Sequence, residues 1–182
     1  SPSAIRPYDL ISHRDNLYVW AQKGEKIPQV FNALTGEAIK NPPRPKKTIG
    51  ATVGFLFDVG HDGNSYVSTG WPKVTLARFK NDFEPYPFPK GLKGEVPEIS
   101  SPRTRLRGMC ADANGNVYIL RQTLKEDDDA SSEIHSVTTP YSDANNLAKI
   151  SPEGTIVNER LIHSDIRGLN SVRTDPAGNI YL

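Results

Sequence analysis

One short pattern, written four times, restricts this chain more than any other feature. "HRDNLYVW" (13–20), "GHDGNSYVS" (60–68), "DANGNVYIL" (112–120) and "DPAGNIYL" (175–182) each run from a polar turn into alternating apolar residues. Asp15, Asp62, Asp112 and Asp175 lie in the turns, followed by Asn16, Asn64, Asn116 and Asn179. Tyr18, Tyr66, Tyr118 and Tyr181 stand two residues after each Asn, spaced 48, 52 and 63 residues apart. Self-similarity with a period of about 40–50 residues marks folds that stack one supersecondary unit.

Each unit keeps one internal order. A first apolar strand ("YDLIS", "GFLFDV", "RGMCAD", "NSVRTD") enters the Asp/Asn turn, a second carries the Tyr, and a third follows a variable loop ("QVFNA", "LARFK", "LAKIS"). Two units then turn at "LTGEAIK" (34–40) and "SPEGTIV" (151–157), where Gly36 and Gly154 are placed to supply positive φ. The second offers "NDFEPYPF" (81–88) instead. Short antiparallel strands with period-two patterning and turn chemistry between them describe the blade of a β-propeller. The recurring Tyr is expected to fill the wedge between neighbouring sheets and to give its hydroxyl a backbone partner. The Asp and Asn residues are expected to stabilise the turn through side-chain to backbone hydrogen bonds.

"MCADANGNVYIL" and "VRTDPAGNIYL" resemble the core of NHL repeats, which run apolar-x-x-Asp-x-x-Gly-Asn-apolar-Tyr. The first unit, Arg14-Asp15-Asn16 without the Gly, is the weakest member. The expectation is an all-β fold in a single domain, 1–182, with blades at about 5–40, 50–90, 104–162 and 168–182. Three full four-stranded blades and the start of a fourth leave edges open that a propeller removes by closing with roughly four to eight blades. The chain therefore reads as part of a six- or seven-bladed propeller, completed by further blades or by a partner chain.

Composition excludes little but does so clearly. A net charge of +1 creates no field to draw nucleic acid. Apolar runs such as "VGFLF" (53–57) are too short to span a bilayer as a helix. The start at "SPSAIRPYDL" suggests removal of a leader or of an upstream part of a longer protein. Cys110 is the sole cysteine and reads as a small core residue, and the expected compartment is extracytoplasmic. Outside the repeat, "NPPRPKK" (41–47) reads as a solvated connector and "EPYPFPKG" (84–91) as aromatics packed over a blade edge. The insertion at 122–146 is long enough for a lid, and its "EDDD" lacks the alternating spacing of a Ca²⁺ loop.

Candidate chemistry is sparse. His13 and His61 sit at equivalent places beside the turns, where turn composition accounts for them. His163 and Asp165, in the connector "HSDIRG", form a possible acid–base pair if they face the axis of the propeller. "LNSVRTDPAGNIYL" is similar to the SMP-30/gluconolactonase family, whose six-bladed members hold a divalent cation in the central channel; the resemblance implies a ligand role for Asn170. Arg107 stands where that family places another ligand, and its fixed positive charge favours an anion over a metal. The expectation is thus a binding or scaffold module with no metal and no cofactor, engaging a protein or small-molecule ligand at the channel mouth through Arg107 and Asn170. The alternative is a metal-dependent hydrolase or lactonase of the gluconolactonase type.

Overall fold

The computed structural model describes residues 7–21, 29–39, 56–69, 74–80, 84–99, 104–123, 145–164 and 169–182. These residues hold twelve strands and no helix, arranged as four antiparallel sheets in chain order. The first contains β1 (Pro7–His13), β2 (Asn16–Ala21) and β3 (Gln29–Asn32). β4 (Phe57–Val59), β5 (Ser65–Thr69) and β6 (Thr75–Phe79) make the second. The third has β7 (Thr104–Ala111), β8 (Val117–Thr123), β9 (Asn145–Ile150) and β10 (Ile156–Ser164), and the fourth has β11 (Arg173–Thr174) and β12 (Ile180–Tyr181). Each sheet is a meander, so every hairpin sequence forms its own ladder.

Four strands per unit were expected, and the third sheet supplies all four. In the first sheet, among the described residues, the fourth position holds only a bridge between Phe31 and Ala38. In the second, bridges from Phe79 to Pro85 and from Leu76 to Val96 take its place. The cause in the second sheet is "EPYPFP": proline has no N–H for a ladder, so only isolated pairs form. That segment folds over the sheet instead, burying Phe88 while Tyr86 stays exposed. Arg78 holds it there. Its guanidinium donates to the carbonyls of Tyr86, Pro87 and Pro152 at 3.0–3.1 Å and lies against the Tyr86 and Phe88 rings.

The core is divided among the gaps between consecutive sheets. One cluster joins Ile11, Tyr18 and Val30 of the first sheet to Phe57, Val59, Val67, Ala77 and Phe79 of the second. Another joins Tyr66, Leu76 and Phe88 to Met109, Ala111, Val117, Ile119 and Ile150 of the third. The last joins Cys110, Tyr118, Leu120 and Leu147 to Val172, with Leu169 and Ile180 packed against them. Neighbours such as Tyr66 and Val67, or Tyr118 and Ile119, therefore serve opposite gaps, as the two-residue period of a strand requires. The first strands are adjacent from sheet to sheet, β1 to β4, β4 to β7 and β7 to β11. Gly108 permits the last approach: a Cβ there would lie 2.9 Å from the Val172 nitrogen.

Candidate functional site

The site begins with the repeated turn. In the third sheet, Asp112 Oδ1 accepts the Asn116 backbone N–H at 2.9 Å. Its Oδ2 accepts the Asn116 side-chain amide at 2.8 Å and the Tyr118 hydroxyl at 3.0 Å. The fourth sheet repeats this set around Asp175, at 2.9, 2.7 and 3.0 Å. The expected side-chain to backbone bonds are made by Asp112 and Asp175, but the Asn amides and the Tyr hydroxyls find the carboxylate rather than a backbone group. Burial, and then the carboxylate beside it, pushes the Tyr118 hydroxyl up to about 12. Gly63, Gly115 and Gly178 take φ of 82°, 76° and 88°, the left-handed geometry that closes these loops.

The second sheet reaches the same arrangement by another route. Asp112 and Asp175 precede their tyrosines by six residues, whereas Asp62 precedes Tyr66 by four. Gly60 occupies the place of the missing Asp and makes the same backbone bond, Gly60 N–H to the Asn64 carbonyl at 2.9 Å. The Asp62 carboxylate swings into the vacated space: a Cβ on Gly60 would lie 2.6 Å from Asp62 Oδ1. Tyr66 and Asn64 still donate to Asp62 Oδ2. The four turn aspartates are therefore not positional equivalents, although in three turns the carboxylate ends at the same point.

Directly across the ladder from the tyrosines lie Ile11, Asp58, Cys110 and Arg173, one from each first strand. All four line a single cavity of about 210 Å³, together with Leu10, Ser12, His13, Val59, His61, Ala111 and Thr174. Its frame is tied through one residue. Ala111 donates its N–H to Asp58 Oδ2 at 3.0 Å, and its carbonyl accepts the His61 N–H at 3.2 Å and the Thr174 hydroxyl at 3.1 Å. His61 Nε2 lies 2.7 Å from the Thr174 carbonyl, and since a carbonyl only accepts, that nitrogen carries the hydrogen. His13 Nε2 is buried with no hydrogen-bond partner among the described residues. Burial, with Arg14 and His61 adding to it and Asp62 opposing, holds the His13 imidazole below its ordinary value of 6.5. Burial first, then Asp58, pushes the Cys110 thiol up to about 12, so it is an inert wall residue as expected.

The residues singled out from sequence lie elsewhere. Arg107 sits at a β-bulge in β7 and is half-buried, donating through Nε and Nη2 to Gln122 Oε1 at 2.8 and 2.5 Å. Asn170 is exposed and precedes β11. His163 belongs to β10 rather than to a connector, and its backbone pairs with Asn146 at the edge opposite β7. Asp165 and residues 41–47 and 124–144 fall outside the described residues. Neither Arg107 nor Asn170 lines the cavity. His13, His61 and Arg173 do, and the first two were read only as turn composition. His13 and His61 stand five residues before Tyr18 and Tyr66, and Arg173 eight before Tyr181, places that no shared residue type marks. Among the described residues no three His, Cys, Asp or Glu side chains are grouped to hold a metal ion, and no helix is long and apolar enough to cross a membrane.

No family model and no curated protein matches this chain. Among solved structures it is similar to a protein of unknown function from Bacteroides caccae, at 8% identity and a TM-score of 0.43. That match covers 94% of this chain and 48% of the other, so the chain spans about half the length of that protein.

Proposed function

We propose that this chain is an NHL-like segment of a β-propeller, within a larger extracytoplasmic protein, that serves as a binding module. Its ligand enters the cavity where the first strands meet. The observation that carries the reading is the contribution of all four sheets to that one cavity, through the residues opposite the tyrosines. A depression built by four separate units, with polar groups set in an apolar wall, has the make-up of a ligand site. Its size suits a small molecule or one side chain of a partner protein. Successive sheets meeting along their first strands support the propeller arrangement, with further blades or a partner chain continuing the series.

The test is a ligand panel of acids, amines, sugars and divalent cations, read by amide chemical shifts. Binding is expected to move Ile11, Ser12, Ala111 and Thr174. Ser12→Phe, which places a ring at the rim from an exposed position, is expected to abolish those shifts. Shifts confined to other surfaces would overturn the reading. A stoichiometric divalent cation bound at Asn170 would favour the gluconolactonase-type hydrolase instead.

A further inference from the structure

Resting on the cavity as the binding site, we infer that its ligand is a small carboxylic acid with a short apolar body, its carboxylate held by Arg173. The strongest polar group open to a newcomer is a donor. Arg173 is exposed, and among the described residues its guanidinium makes one hydrogen bond, to the neighbouring Val172 carbonyl at 3.1 Å. A guanidinium offers five N–H groups in a fork that matches a carboxylate, so capacity remains. The exposed Ser12 adds a hydroxyl at the rim.

Three acceptors on the lining are already engaged. Asp58 is the one anion among the described lining residues, only 5% exposed and accepting the Ala111 N–H, so an arriving solute meets the Arg173 cation first. The Ala111 carbonyl takes two hydrogen bonds and the Thr174 carbonyl accepts His61. An amine would meet the like charge of Arg173 and a sugar would leave its fork without a matching anion, whereas a carboxylate supplies one. Ile11, Val59, Cys110 and Ala111 form the apolar wall. At about 210 Å³ the cavity lies below the roughly 300–1,000 Å³ common for drug-sized ligands, which points to a body of a few carbons.

Butyrate, butyramide, n-butylamine and glucose titrated into the purified protein test this, with amide shifts and calorimetry as readouts. Butyrate is expected to shift the cavity residues and to bind roughly tenfold more tightly than butyramide or butylamine, the gap expected of a charge-assisted carboxylate contact. Arg173→Gln is expected to remove that preference while leaving the unfolding midpoint unchanged, because the side chain is exposed. Arg173→Lys, which keeps the charge without the fork, is expected to restore part of it. Equal binding of butyrate and butyramide, or an Arg173→Gln protein that keeps the preference, would overturn the acid but leave the cavity as a binding site. If glucose or butylamine alone moved the cavity residues, the acid would fail in the same way. If a broad panel of acids, amines, sugars and cations left the cavity residues unmoved, the binding-module reading would fall with it.

Discussion

Tyr118 and Tyr181 make the same hydrogen bonds and live in different surroundings. Their turns agree to within 0.1 Å in all three contacts to the aspartate, yet Tyr118 is 5% exposed and Tyr181 is 57% exposed. The difference lies in what stands next. Tyr18 packs toward the second sheet, Tyr66 toward the third and Tyr118 toward Val172 of the fourth unit. Among the described residues no sheet lies beyond β12 for Tyr181 to fill against. The turn is thus a local object, completed within the seven residues from Asp to Tyr, and its burial is a property of the stack.

The largest test of that separation is removal of the rings. Tyr118→Ala should cost about 3–5 kcal/mol in equilibrium unfolding, as loss of a buried aromatic does. Tyr181→Ala should leave the unfolding midpoint nearly unchanged. Equal losses at both sites would mean that the fourth turn is buried in solution by a sheet or partner chain.

Next in size is the seam between the third and fourth sheets. Gly108→Ala drives a methyl to 2.9 Å from the Val172 nitrogen, an overpacking expected to cost about 1–3 kcal/mol. Hydrogen exchange should speed up at 172–181 while the amides of β8 and β9 stay protected. Uniform loss of protection would show that the fourth unit is not separable from the third.

A comparable or smaller effect is expected from the carboxylates. Asp112→Asn replaces a buried charged acceptor with a neutral one and should cost about 1.5–3 kcal/mol, whereas Asp175→Asn should fall within measurement scatter. Gly60→Asp combined with Asp62→Asn returns the carboxylate to its place in the other turns. It should still destabilise, because a Cβ at residue 60 would also meet the Ala111 methyl at 2.7 Å.

The smallest expected effect concerns His13. Its folded value lies below 6.5, so the folded chain resists a proton that the unfolded chain accepts. That contribution to stability is complete above the unfolded value and is lost as pH falls through 6.5 toward the folded one. His13→Gln should flatten the unfolding midpoint across that window, and an unchanged slope would place the titration elsewhere.

The turns and their glycines were legible in the sequence because each depends on residues within about ten positions of one another, and strand order followed from the repetition of the unit. Gly36 and Gly154 adopt φ of 72° and 91° as their turns require, and the three buried tyrosines stand on second strands. The swap of Gly60 with Asp62 was not legible, since aligning by residue type assumes that equal side chains hold equal positions. Only the fold shows a carboxylate reaching one point from two backbone sites. The cavity was still less accessible. Ile11, Asp58, Cys110 and Arg173 share no chemistry and lie far apart in the chain, so no local pattern marks them. They meet because antiparallel pairing sets each opposite a tyrosine, and because the first strands of four sheets come together. Local hydrogen bonding and the two-residue period of a strand fixed the units; the packing of one sheet on the next decided which residues share a site.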